Sequence, residues 1–133
     1  MLSDERLLAD LKAATDGLLF MSETDAPLEP VRLAVGGEPT PEVLRQLSGV
    51  SFDTPVEVQA FDEFFAPAVS EPAWKSAHQI STARRFQAVV QLLQDNLTDL
   101  RVLRVGRINM DVYVLGRASS GNWLGLRTRV VET

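Results

Sequence analysis

Residues 100–131 read LRVLRVGRINMDVYVLGRASSGNWLGLRTRVV, and their pattern decides the fold. Three apolar runs stand here, Val102–Val105, Met110–Leu115 and Trp123–Val131. The gaps are turn chemistry, Gly106-Arg107-Ile108-Asn109 and Ala118-Ser119-Ser120-Gly121. Runs this short, joined this tightly, predict antiparallel hairpins. Side chains alternate along a strand, so the middle run sets Met110, Val112 and Val114 on one side and Asp111, Tyr113 and Leu115 on the other. Both sides are largely apolar, which predicts a central strand covered on both faces. In the last run Leu124, Leu126, Thr128 and Val130 form the buried set. Trp123, Arg127 and Arg129 share the opposite side, where a solvated strand face is the plainer reading of the two arginines.

The elements upstream supply the cover. Ser3 can cap a first helix with Asp4 and Glu5 in its first turn, where negative charge meets the helix dipole. Leu7, Leu8, Leu11 and Ala14 make its buried stripe, and Gly17 stops it. The run Leu18–Met21 is wholly apolar and reads as core, followed by a polar loop from Ser22 to Asp25. A strand is expected over Val31–Val35, with Pro30 weakening its start. Thr40-Pro41-Glu42 opens a short helix anchored by Leu44 and Leu47 and ended by Gly49. Val56, Val58 and Ala60 alternate as a short strand. Asp62 is expected to cap a turn of helix carrying Phe64 and Phe65, and Pro67 and Pro72 to bound an irregular piece that holds Trp74. A long helix runs from Ala77 to Asn96, with Ala83, Phe86, Val90, Leu93 and Leu97 on one face. The expectation is one domain over residues 1–133, a three-layer α/β/α sandwich with a mostly antiparallel central sheet.

Composition narrows the function classes. The chain has 133 residues, 45% of them apolar, which argues against disorder. Thirteen Lys and Arg against eighteen Asp and Glu give a net charge of −5, a poor balance for a general nucleic-acid binder. Absence of cysteine removes disulfides, thiolate nucleophiles and cysteine metal sites. No basic region precedes an apolar segment at the start, and no run is long enough to span a membrane, so a cytoplasmic protein is expected. There is no dinucleotide, P-loop or HExxH motif. A serine triad would have to centre on His78, the single histidine, which reads better as a surface residue near a helix start. Glu23 and Asp25 could be cast as paired carboxylates, but they stand one residue apart in a loop with nothing specifying a substrate cleft.

A resemblance adds what these patterns lack. The run Ala14-Thr15-Asp16-Gly17-Leu18-Leu19-Phe20-Met21-Ser22-Glu23 resembles the N-terminal motif of the nuclease A inhibitor family. Met110-Asp111-Val112-Tyr113-Val114-Leu115-Gly116 and Thr128-Arg129-Val130-Val131-Glu132-Thr133 resemble its ending. Asp62-Glu63-Phe64-Phe65 and Pro72-Ala73-Trp74 fall in the expected places between. The resemblance implies an α/β/α sandwich that binds a sugar-non-specific DNA/RNA endonuclease, whose magnesium ion sits in a ββα-metal site. It implies no enzyme activity, no cofactor or metal in the isolated protein, no direct nucleic-acid or membrane binding, and a monomer alone.

Residue by residue, the family's contact glutamate matches Glu23, its contact tryptophan Trp74, and its terminal threonine, which reaches the nuclease's metal ion, Thr133. Asp25 and Glu132, beside them in sequence, complete the expected partner-binding set. After Glu23 the family usually continues with an acid, an aromatic, proline and phenylalanine, whereas this chain has Asp25, Ala26, Pro27 and Leu28. That departure motivates an alternative, a non-catalytic interaction domain of the same fold with a different partner. The final strand is expected to be packed through Val130, so Glu132 and Thr133 should extend only briefly past rigid structure and present the tail at small entropic cost.

Overall fold

The computed structural model describes residues 2–71 and 73–133. Its centre is the meander expected from the C-terminal stretch. Numbered in chain order over the whole protein, β5 (Thr98–Val105), β6 (Asn109–Arg117) and β7 (Trp123–Val131) pair antiparallel by consecutive connections. Two shorter strands from earlier in the chain complete the sheet. β3 (Glu29–Arg32) adds to the free side of β7, and β4 (Val56–Gln59) to the free side of β5. The order is β3-β7-β6-β5-β4, with every pairing antiparallel. A separate hairpin, β1 (Leu19–Met21) with β2 (Asp25–Pro27), lies against β7.

Four helices cover the sheet, making the expected three layers. On one face α1 (Asp4–Thr15), α3 (Phe61–Val69) and α4 (Ala77–Asn96) contribute Leu7, Leu11, Phe64, Phe86, Val89 and Leu93 to a core with Val102, Val112, Val114, Leu124 and Leu126. On the other face α2 (Pro41–Ser48) sets Leu44 against Leu103, Val105, Tyr113, Leu115 and Trp123. β6 is therefore apolar on both sides because it is buried on both sides, as its residues required. Arg127 and Arg129 do share Trp123's side, but they are not simply solvated. Both donate to the buried carboxylate of Asp111, at 2.9 and 3.3 Å, and the Arg127 guanidinium lies over the Tyr113 ring.

The helix ends follow their local chemistry. Ser3, Thr40 and Ser76 each accept a backbone N–H of the first turn, and Ser76 forms a reciprocal capping box with Gln79. Gly49 ends α2 at φ 67°, a left-handed conformation in which most residues are strained. Asp4 does more than meet the helix dipole. It is buried, and it accepts hydrogen bonds from Ser120 Oγ at 2.8 Å and Asn122 Nδ2 at 2.9 Å, tying α1 to the β6–β7 turn.

Several boundaries differ from the sequence expectation. Leu18–Met21 is not wholly core. It alternates as a strand does, with Leu18 and Phe20 buried and Leu19 and Met21 exposed. The polar loop after it is the turn and second strand of the small hairpin. β3 begins at Glu29 and includes Pro30, which an edge strand tolerates because one row of its N–H groups has no partner to serve. Asp62 lies inside the first turn of α3, whose cap position is Ala60. Pro67 stands within that helix rather than at the edge of an irregular piece. Proline there removes one helical hydrogen bond, and the burial of Phe61, Phe64 and Phe65 outweighs the loss. Pro72 lies outside the described residues. In α4 the buried face includes Val89, with Val90 only half-buried.

Candidate functional site

The hairpin turn Ser22–Thr24 carries Glu23, and two anchors hold it. Below the turn, Phe20 is buried and stacks on Phe64 with ring centroids 4.5 Å apart, and it meets Phe86 edge-on at 6.1 Å. Such aromatic pairs contribute roughly 0.5–1.5 kcal/mol beyond their buried area. At the turn itself, Ser22 Oγ accepts the Val131 N–H at 3.1 Å and donates to the Thr24 carbonyl at 3.0 Å. The Glu23 N–H donates to the Val131 carbonyl at 3.2 Å. The hairpin is thus stapled to the last residue of β7.

The same place receives the end of the chain. The Glu132 N–H donates to the Ile108 carbonyl at 3.0 Å, and Arg104 Nη2 donates to Glu132 Oε2 at 2.6 Å. Thr133 then turns back on the hairpin. Its N–H donates to Glu23 Oε2 at 2.6 Å and its hydroxyl to Glu23 Oε1 at 2.7 Å. Two residues 110 positions apart in sequence form one polar unit. A carboxylate has about four acceptor sites, so both Glu23 oxygens keep capacity for an outside ligand. The unit is exposed, and its charge-assisted bonds order the tail more than they stabilise the fold.

The remaining expected residues fall around it unevenly. Glu132 is adjacent and paired with Arg104. Asp25 is exposed at the start of β2, outside the Glu23–Thr133 unit. Trp74 comes from the α3–α4 connection and is 78% exposed, so its ring is not a core plug. That connection is pinned on both sides of it. Lys75 Nζ donates to the Ser70 carbonyl at 2.8 Å, and the Glu71 carboxylate accepts from Gln87 at 2.6 Å and Arg84 at 3.0 Å. The Gln87 hydrogen bond, with Arg84 beside it, holds the Glu71 carboxyl below the usual range. His78 is exposed in the first turn of α4.

A groove of 990 Å³ runs beside the Glu23–Thr133 unit. Met21, Glu23, Glu132 and Thr133 line it together with Lys75 and His78, and Trp74 is not part of the lining. Phe64, Pro67, Phe86 and Val130 are among its apolar lining residues. Two residues of this region escaped the sequence reading. Ser22 read only as the start of a polar loop, and Arg104 was not singled out. A signal for Arg104 existed: it is a charged residue at a strand position facing the same side as Val102, where an apolar residue is the rule. Among the described residues no group of three or more His, Cys, Asp or Glu could hold a metal ion.

The chain matches the family model described as nuclease A inhibitor-like protein over residues 5–133. It belongs to that family. Membership suggests an inhibitor-like role and an endonuclease as the partner. No curated protein matches the chain. In this nuclease A inhibitor-like protein the hairpin turn and the tail carry the joined Glu23 and Thr133 side chains at the surface. No helix is long and apolar enough to cross a membrane among the described residues.

Proposed function

We propose that this chain inhibits a sugar-non-specific, Mg²⁺-dependent DNA/RNA endonuclease of the ββα-metal type, blocking its active site with Glu23 and Thr133. The observation that carries the reading is the pair of hydrogen bonds from Thr133 to the Glu23 carboxylate, at 2.6 and 2.7 Å. A nuclease site is built to hold anionic phosphate oxygens on a metal ion and beside cationic groups. The Glu23–Thr133 unit offers carboxylate and hydroxyl oxygens, suited to a hard cation, and contains no bond the enzyme could cleave. Trp74 supplies a large, exposed and rigid side chain of the kind that dominates interface energetics. Asp25 and Glu132 add negative charge at the rim, where it steers association with a cationic site more than it adds affinity.

The test is titration of a purified nuclease of this type with wild type, Glu23→Gln, Thr133→Ala and Trp74→Ala, at fixed Mg²⁺. Gln retains one acceptor but cannot receive the Thr133 N–H and hydroxyl as a carboxylate does. Each of the first two variants is expected to weaken inhibition by about tenfold or more with an unchanged melting temperature. Inhibition indifferent to both Glu23→Gln and Thr133→Ala refutes the assignment. The competing reading, an interaction domain for another partner, drew on the missing aromatics at Ala26 and Leu28. Both side chains are buried, so they bear on the core rather than on a contact surface, and they do not favour that alternative.

A further inference from the structure

We infer that the open edge of β4 is a pairing surface for a second copy of this chain, joined antiparallel about a two-fold axis at Val58. The inference is independent of the proposed function. In the order β3-β7-β6-β5-β4 both end strands have one open side, and they differ in how that side is blunted. β3 includes Pro30, which has no N–H to offer a further strand. β4 reads Val56-Glu57-Val58-Gln59, with no proline, lysine or arginine in it. An edge strand without such devices is a template for another strand.

The register shows which groups stand at that edge. The Gly106 N–H donates to the Pro55 carbonyl at 3.0 Å, and β4 pairs Val56 with Val105, Glu57 with Arg104 and Val58 with Leu103. Along an antiparallel ladder, pairs that exchange hydrogen bonds alternate with pairs that do not. Pro55 turns its carbonyl toward β5, so Glu57 and Gln59 turn theirs the same way. Val56 and Val58 therefore point their N–H and carbonyl groups outward. Among the described residues no backbone group outside the sheet takes them up. The Val58 side chain is 69% exposed, and Phe52, in the turn leading into β4, is 89% exposed.

Charge then selects the occupant and its register. A two-fold axis normal to the sheet keeps each face on its own side, so a residue must meet one from the same face of β4. Centred on Glu57, the pairing sets two carboxylates directly opposite each other, which is destabilising. Centred on Val58, it joins Val58 to the Val58 of the other copy, reciprocally through both outward groups. Each Glu57 then meets a Gln59 amide, and each Val56 meets an Ala60. Ala60 is still extended, at ψ 137°, before α3 begins. The strand is thus complementary to itself, a carboxylate to an amide and valine to valine. Such a pair departs from the monomer that the family resemblance implies.

The chain's lack of cysteine makes the register directly testable. Opposed residues of a hydrogen-bonded pair have Cα atoms about 5.5 Å apart, within disulfide reach. Val58→Cys is expected to cross-link two copies under mild oxidation. In Val56→Cys the two thiols stand four residues apart along the paired strands, about 13 Å, beyond that reach. Val58→Cys should therefore cross-link about tenfold faster than Val56→Cys or more. Sedimentation of the wild-type chain should show its mass rising from one copy toward two between about 10 µM and about 1 mM. A wild-type chain that stays monomeric up to about 1 mM overturns the inference. So do equal cross-linking rates for the two cysteines, the mark of random collision. If either variant does not fold, sedimentation of the wild type decides alone. None of these results touches the inhibition assay on Glu23 and Thr133, so either reading can fail without the other.

Discussion

Loss of Glu23 should cost affinity in two separable ways, and the structure sizes one of them. Among the described residues Thr133 is held by its two bonds to Glu23 alone, whereas Glu132 is held by the Ile108 carbonyl and by Arg104. Glu23→Ala therefore frees one residue, and the double variant Glu23→Ala/Arg104→Ala loosens two. Ordering a free residue costs roughly 1–2 kcal/mol of backbone entropy, a cost that binding must then meet. The single variant should lose roughly 5- to 30-fold in affinity from tail disorder, and the double variant roughly 30- to 700-fold if both residues become free. Any direct contact that Glu23 makes with the partner adds to both. The entropic part can be read without a partner. Backbone ¹⁵N order parameters at Glu132 and Thr133 should stand near about 0.85 in the wild type and fall below about 0.6 at Thr133 in Glu23→Ala. A wild-type Thr133 that is already as mobile as in the variant refutes the claim that the tail is preorganised.

Three further outcomes test the fold around the site. Amide exchange should be slowest over Val112–Leu115, in the strand covered on both faces, and fast exchange there would contradict the layer order. Asp4→Ala should lower stability by about 1–3 kcal/mol in urea unfolding, because Ser120 and Asn122 lose their buried acceptor, and a change under about 0.5 kcal/mol would show the tie to be dispensable. Burial pushes the Tyr113 hydroxyl above its ordinary value of 10.0, with Ser48 at 2.8 Å opposing the shift. A group whose folded value is raised stabilises fully below the unfolded value, so melting temperature should fall as pH rises through and beyond 10, and Tyr113→Phe should flatten that fall.

Charge on the α2 face shows why local patterns mislead about polar residues. Arg127 and Arg129 read as a solvated strand face because alternation reports which side a residue is on, not what stands beside it. Cross-strand register puts Asp111 opposite Arg129, and the three side chains close on each other. Pro67 misled for a related reason. Its local effect on a helix is unfavourable by about 3 kcal/mol, yet three buried phenylalanines around it supply more than that in burial.

The sequence by itself determined the central meander, the doubly buried β6, the faces of α1 and α4, and most helix ends. Each of these depends on contacts within a few residues or on a periodicity that runs along one element, so the information is local. Family membership also lay in the sequence, in motifs at both ends of the chain. Only the tertiary structure decided which edges β3 and β4 would take, since either strand alone carries too few apolar residues to name its neighbour. It alone showed the run Leu18–Met21 to have a buried and an exposed face, with Leu19–Met21 a strand. Above all it decided the site. Glu23, Arg104 and Thr133 come from a hairpin turn, a sheet strand and the chain's end, and no periodicity links them. Their meeting depends on Phe20 sinking between α3 and α4 and on β7 ending beside Ser22, long-range packing that fixes where short polar side chains can reach.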